Sequence, residues 1–281
     1  MTGIVNRGSI VTMCITLFIS LVLPILLLIF YARKHKGEGV VKAWLLGAAG
    51  FYVTQLVIRT TILSLLSMTE EFASFIEQNY LIYAVLLGVT AGLFEVVGRF
   101  ACAKILSKNE LTFTKAISSG LGHGGIEAMV LLGITYINNL LYAVMINNGT
   151  VETVIAEAET AGVDISQINT FIDTLINTPA PMYLLAGYER ILSMIAQVGM
   201  TLVVFYFMWK KQTAKGIAIC VIYHTLLDAG IGIISGLATP YMGSIISQNT
   251  SYVIIYIYLT VMAAGAIAFI SKVKKEWGEK I

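Results

Sequence analysis

From Ser9 to Ala32 the chain carries no Asp, Glu, Lys, Arg or His. Wound as a helix at about 1.5 Å per residue, such a stretch covers about 36 Å, enough to cross the roughly 30 Å hydrocarbon core of a bilayer. Comparable apolar stretches recur, and the predicted spans are 9–32, 43–67, 80–104, 113–146, 182–209, 216–238 and 251–271. Backbone groups in lipid must find their partners inside their own segment, so each stretch is expected to be helical. The reading is an all-α, polytopic membrane helix bundle with about seven transmembrane helices, organised as a single integral membrane domain over 1–281. The fourth span is long for one crossing and is expected to be tilted or broken.

Composition excludes the other broad classes. Only 12% of residues are charged and 57% are hydrophobic, whereas a soluble domain needs about a quarter charged residues to wet its surface. The net charge of +2 leaves no basic stripe for nucleic acid, so none is expected as a partner. Cys14, Cys102 and Cys220 lie in apolar stretches without metal-ligand spacing, which argues against a disulfide framework. The first span is too long for a cleavable leader, lacks a small-residue cleavage site, and runs into Arg33-Lys34-His35-Lys36. It is expected to remain as a membrane anchor.

Charge placement predicts the orientation. Arg33, Lys34, Lys36 and Lys42 follow span one; Lys104, Lys108 and Lys115 lie between spans three and four. Lys210, Lys211 and Lys215 lie between spans five and six, and Lys272, Lys274, Lys275 and Lys280 form the tail. These fourteen of the eighteen Lys and Arg residues fall on one side of a seven-helix weave. Glu70, Glu71, Glu77, Glu152, Glu157, Glu159, Asp164 and Asp173 fall on the other, with Arg7. The positive-inside rule then puts the N-terminus outside and the C-terminus in the cytosol of a multi-pass protein of the cell membrane, a bacterial plasma membrane. Trp44, Trp209 and Trp277 sit at the basic ends as expected interfacial anchors. The extracytosolic loop at about 147–181 carries apolar residues at helical spacing from Ile165 to Ile176. This predicts a short amphipathic helix, ended by Pro179 and Pro181.

Nine ionisable residues remain inside the spans: Arg59, Glu95, Arg99, His123, Glu127, Glu189, Arg190, His224 and Asp228. Each is costly in hydrocarbon unless it is paired or faces water. Counting inward from the cytosolic lysines puts Glu95, His123 and His224 at a common depth of about 12–14 Å. Glu127, Asp228 and Gln197 form a second layer at about 18–20 Å. His123 and Glu127, His224 and Asp228, and Glu95 and Arg99 are each four apart, hence on one helix face. Arg59 and Glu189 fall at similar outer depths and are expected to pair, with Arg190 structural as well.

A carboxylate and an imidazole at one depth can deprotonate a water, and a second His fixed by an Asp can donate to a developing oxyanion. The same residues read as a zinc site would use His123, His224 and a carboxylate from Glu127, Asp228 or Glu95, with one position left for water. No His-Glu-x-x-His motif supports the metal reading, and no Gly-x-Ser-x-Gly elbow supports a serine nucleophile. The glycines around His123 allow either close helix packing or a cavity beside it. A non-catalytic membrane scaffold or a small transporter is the alternative from another class, although no repeat symmetry marks a transporter.

Phe94-Glu95-Val96-Val97-Gly98-Arg99, Gly122-His123-Gly124-Gly125-Ile126-Glu127, Glu189-Arg190 and His224-Thr225-Leu226-Leu227-Asp228 follow in this order on successive spans. In these strings the chain resembles the YhfC family of bacterial intramembrane peptidases, itself distantly similar to the type II CAAX-prenyl proteases and the PrsW proteases. The resemblance implies an intramembrane endopeptidase acting on a membrane-associated protein or peptide, with a catalytic core at about 80–238. It implies catalytic roles for Glu95, His123, Glu127, His224 and Asp228, supported by Arg99, Glu189, Arg190 and Gln197. Glu95 would be the general base, His123 its partner on water, and His224 with Asp228 the oxyanion side.

The sequence departs from the CAAX-protease pattern in three places. Val96 replaces the second Glu of a pair, the Glu-to-Arg spacing is one shorter, and Gln197 stands where many family members carry a His. The base therefore stays open between Glu95 and Glu127. The expected mechanism is glutamic, without a cofactor. The alternative is zinc held by His123, Glu127, His224 and Asp228.

Overall fold

In a computed structural model of the chain, residues 3–162 and 164–278 are described, apart from the side chain of Asn109. Lys280, part of the basic tail, lies outside them. The described residues are helical with no strand, and seven helices are long and apolar enough to cross a membrane. These are α1 (Arg7–Lys34), α2 (Val40–Leu66), α4 (Tyr80–Leu106), α5 (Phe113–Asn148), α8 (Ala180–Trp209), α9 (Thr213–Gly236) and α10 (Gln248–Gly278). The sequence-based bounds agree with these to within three residues, except that α10 continues seven residues beyond 271. The protein is a polytopic membrane protein.

Three shorter helices complete it: α3 (Glu70–Gln78), α6 (Val151–Thr160) and α7 (Ser166–Asn177). Thr69 caps α3 by accepting from the Phe72 amide, and Glu70 and Glu71 favour its first turn. α7 is the expected amphipathic helix. Its last residue, Asn177, precedes Pro179, and Pro181 sits in the first turn of α8, where a missing N–H costs nothing. α5 is a continuous run of 36 residues. It is widened into π-helical turns at Ala128–Gly133, directly after Glu127; α2 is widened likewise at Tyr52–Arg59.

The chain divides into two compact units. The first comprises residues up to Ile25 together with Ala128–Ile191. Its core packs Val5, Met13, Tyr136, Ala143, Ile146, Ile172, Leu175 and Tyr183, so α7 turns its apolar stripe inward. Thr16 Oγ1 and the Tyr136 hydroxyl both donate to the Tyr183 carbonyl, at 2.6 and 3.1 Å. Asn147 holds the backbone of Val5 through two hydrogen bonds of 2.7 and 2.9 Å.

The second unit comprises Leu26–Glu127 and the chain from Leu192 onward. Small residues let its helices approach backbone to backbone. A Cβ on Gly47 of α2 would lie 1.9 Å from the Ser119 carbonyl oxygen of α5, and one on Gly122 would lie 2.0 Å from the Trp44 carbonyl oxygen. Gly98 meets Gly50 across the α4–α2 seam, Gly88 and Gly92 meet α9, and Gly120 and Gly124 meet α8. The glycines flanking His123 at 120, 122 and 124 are therefore packing contacts rather than the lining of a cavity. Two of the expected interfacial anchors also serve packing. Trp44 and Trp277 are 8% and 3% exposed, the latter stacked on Trp209 at 5.3 Å, and Trp209 alone of the three is exposed.

Gly122→Ala should destabilise the protein by about 1–3 kcal/mol or more through overpacking. Gly265→Ala, whose Cβ would meet nothing within 4 Å, should be close to neutral. Thermal unfolding of the purified protein in detergent compares the two.

Candidate active site

Four helices of the second unit bring the polar residues together. On α4, helical spacing sets Glu95 and Arg99 one above the other, and Arg99 Nη2 donates to Glu95 Oε2 at 3.0 Å. On α5, His123 lies with its Nε2 2.9 Å from the same Glu95 oxygen, its ring held edge-on by Phe51 of α2 at 5.1 Å. On α9, His224 places Nδ1 3.6 Å from Glu95 Oε2 and Nε2 3.3 Å from Asp228 Oδ2. Gly92 makes this third approach feasible, because a Cβ there would already sit 3.4 Å from His224 Cβ. One carboxylate oxygen thus faces an arginine and both membrane-buried histidines.

α8 supplies a second arm. Gln197 accepts a short hydrogen bond from Arg99 through Oε1 and donates to Glu127 Oε2 through Nε2 at 2.5 Å. Arginine can only donate and a carboxylate can only accept, so the Gln197 amide has a single orientation. Ser193, one turn before Gln197, donates to Glu127 Oε1 at 3.2 Å. Glu127 therefore stands behind Arg99 as a remote counter-charge, while Glu95 is the carboxylate in contact with the histidines.

His123 Nε2 has two competing partners. His123 Nε2 is also 3.1 Å from Arg99 Nη2. As a donor it serves Glu95, and as an acceptor it serves Arg99, but one nitrogen cannot do both at once. Arg99 Nε, Arg99 Nη1 and His224 Nδ1 are buried without a hydrogen-bond partner among the described residues. Glu95, Arg99, His123 and His224 are at most 3% exposed, whereas the Asp228 side chain is 37% exposed and opens the cluster to its surroundings.

The structure thus assembles Glu95, Arg99, His123, His224 and Asp228, with Gln197 and Glu127 attached. The other charges within the spans have partners of their own. Arg59 donates to Thr90 Oγ1 at 3.2 Å and to the Leu87 carbonyl at 2.8 Å, while Glu189 pairs with its neighbour Arg190 in the first unit. Phe51 and Ser193 went unnoticed in the sequence. Ser193 could have been found, since it lies four residues before Gln197; an aromatic ring supporting His123 has no sequence signal.

A bundle of membrane-spanning helices with a carboxylate–imidazole cluster buried inside its spans defines a polytopic membrane protein with an internal polar site. The profile of the YhfC intramembrane metalloprotease family matches residues 19–264, and the chain belongs to that family. It is 28% identical over 276 residues to the membrane protein YhfC of Bacillus subtilis (strain 168), covering 96% of this chain and 98% of the relative. No solved structure matches the chain.

The family's description implies a metal, and the donors can be tested against it. Two imidazole nitrogens and a carboxylate oxygen are zinc ligands in kind. However, Arg99 Nη2 stands 3.0 Å from Glu95 Oε2 and 3.1 Å from His123 Nε2, so a guanidinium charge fills the space that a dication would take. Glu127 is engaged by Ser193 and Gln197. Among the described residues no three His, Cys, Asp or Glu side chains form a group able to hold a metal. This arrangement does not fit a resident metal.

Removing one member of the buried Glu95–Arg99 pair should cost about 3–5 kcal/mol, because it leaves the other charge uncompensated. Arg99→Met should therefore be strongly destabilising, and adding Glu95→Gln to it should restore most of the loss. A double-mutant cycle of unfolding in detergent reads the coupling.

Proposed function

We propose that the protein is an intramembrane endopeptidase of the glutamic type, in which Glu95 and His123 activate the attacking water. The observation that carries this reading is the convergence of Arg99, His123 and His224 on one oxygen of Glu95. Glu95 takes a proton from water as the oxygen attacks the peptide carbonyl carbon, and it returns that proton to the leaving amine. His123 Nε2, at hydrogen-bond distance from the carboxylate, orients the water and shares the proton. Arg99 keeps Glu95 anionic through contact, and Gln197 with Glu127 holds Arg99 in place.

His224 stands on the oxyanion side. With Nε2–H directed to Asp228, the nitrogen presented to the reaction is Nδ1. In the imidazolium form that nitrogen also carries a proton and donates to the carbonyl oxygen as negative charge develops there. The substrate is a membrane-associated protein or peptide within the bilayer, cut in the half nearer the basic loops, with those loops in the cytosol of a bacterium.

Glu95→Gln and His123→Ala should each lower cleavage of a membrane peptide by about 10²–10⁴-fold, and His224→Ala by about 10²–10³-fold. Glu127→Gln keeps a carbonyl acceptor for Gln197 Nε2 and can donate its NH2 to Ser193 Oγ, so it should remain within about tenfold of the parent. A Glu127 variant as inactive as the Glu95 variant would overturn the assignment of the base. A scaffold would show no cleavage in any form.

The family's description favours a second reading, a zinc-dependent peptidase on the same residues. Metal content of the purified protein and activity after chelation separate the two. Stoichiometric zinc together with loss of activity on chelation would replace the glutamic mechanism, and full activity in metal-depleted protein supports it.

A further inference from the structure

Within the second unit, α8, α9 and α10 do not close on one another along their whole length. A cleft of about 340 Å³ runs between them, with Gly199 and Phe207 on α8, Ile219 and Tyr223 on α9, and Gly265 and Phe269 on α10 among its walls. Its floor is Met200, Cys220 and Ala266, each at most 4% exposed, and its rim is Ile219 and Gly265, both exposed. The rim stays open at Gly265, where an added Cβ would meet nothing within 4 Å.

The walls match hydrocarbon. Among the described residues no charged side chain lines the cleft, and the Tyr223 hydroxyl already donates to the Met262 carbonyl at 2.6 Å. Water gains nothing there, because it needs polar partners. All three helices are long and apolar enough to cross a membrane, so an open cleft along them faces lipid chains. From Gly199 to Phe207 it follows α8 for about 12 Å, most of the roughly 15 Å that the chains of one leaflet occupy.

Charge at one end of the cleft narrows the choice of lipid. Lys215 lies one turn before Ile219 on α9, and Lys272 lies one turn beyond Phe269 on α10. The Lys215 Nζ stands 5.3 Å from the centre of the Phe207 ring, at that same end. Lys210 is taken by Glu276 at 3.0 Å, whereas Lys215 and Lys272 make no salt bridge among the described residues. Amines at the end of a span sit at the level of headgroup phosphates and attract anionic lipid. An apolar slot along the span with uncompensated amines at its mouth has the two-part chemistry of an anionic phospholipid.

We propose that this cleft binds one acyl chain of an anionic phospholipid, held as a specific ligand, with the headgroup phosphate on Lys215 and Lys272. The chain passes Phe207 and Phe269, fills the space beside Gly265, and ends near Gly199 and Tyr223. The site does not depend on peptide cleavage, and binding alone tests it.

The experiment uses the full chain, purified in detergent and stripped of lipid, with 4-fluorophenylalanine at position 269 as a fluorine NMR reporter. The probes are dioleoyl phosphatidylglycerol and dioleoyl phosphatidylcholine, which share their chains and differ in headgroup charge. Phosphatidylglycerol should give a saturable shift and bind about tenfold or more tighter than phosphatidylcholine. Lys215→Gln with Lys272→Gln should abolish that preference and leave phosphatidylcholine affinity within about threefold of the parent. Gly265→Leu, which puts a side chain into the cleft, should weaken both lipids by about tenfold or more. Both lysines are exposed, so their double variant decides the matter even if Gly265→Leu fails to fold. No saturable shift, a phosphatidylglycerol preference that survives in the lysine variant, or parental affinity in folded Gly265→Leu would overturn the site. Saturable binding of an uncharged transmembrane peptide that phosphatidylglycerol does not displace would assign the cleft to a protein helix and overturn it as well.

Discussion

Glu95 and Arg99 sit one turn apart on α4, 3% and 2% exposed, in a helix whose length and apolar composition suit a lipid surround. A lone carboxylate there would have no means of staying charged, and a lone guanidinium no means of losing its charge. The pair resolves both problems, and the neighbouring helices are arranged around it. α5 brings His123 to the carboxylate, α9 brings His224, and α8 brings Gln197 to the guanidinium. Replacing such a pair by apolar residues often costs little, so its presence speaks for chemistry more than for stability.

Bringing four helices to one carboxylate requires short interaxial distances, which explains the distribution of small residues. Glycine faces backbone at α2–α5, α4–α2, α4–α9 and α5–α8. In lipid, helix association gains little from hydrophobic burial and depends on contact and hydrogen bonding, so each missing side chain is a direct contribution to packing. The site's geometry and the glycine pattern are therefore one constraint: a Cβ at Gly92 or Gly122 would push away the helix that carries His224 or the one that supports His123.

The spans were legible because lipid imposes a single solution on the backbone; uncharged length alone set their ends within a turn, apart from the C-terminal end of α10, where the helix runs on through the basic tail. The cluster was legible for a related reason. Charges are so scarce in the spans that depth and i,i+4 spacing suffice to pick out Glu95, Arg99, His123, His224 and Asp228. What stayed hidden depends on tertiary direction. Depth counting placed Glu127 and Asp228 in one layer, but could not say that Glu127 turns to Ser193 and Gln197 while Asp228 turns to His224. Nor could it say that Arg59 finds its acceptors on α4, at Thr90 Oγ1 and the Leu87 carbonyl. Trp44 and Trp277 stand at the ends where anchors belong, and only packing reveals that they are buried. α3 and α6 were missed because the polar composition of their segments reads equally as loop.

The cluster is also asymmetric in a way that bears on its chemistry. Glu95, Arg99 and His123 are enclosed, and His224 connects this enclosed part to Asp228, the one member with a substantially exposed side chain. Beside it, Tyr258 of α10 spends its hydroxyl on the Leu226 carbonyl at 2.6 Å, with Gly230 making room for the ring. The two ring nitrogens of His224 face the two sides: Nδ1 faces Glu95 and Nε2 faces Asp228. A proton that leaves one side can therefore be matched by one gained from the other without any side chain moving. Hydrolysis needs both water supply and proton balance at a site shut off from bulk solvent. In the proposed mechanism, an imidazole shared between an enclosed and an exposed carboxylate would meet the second need.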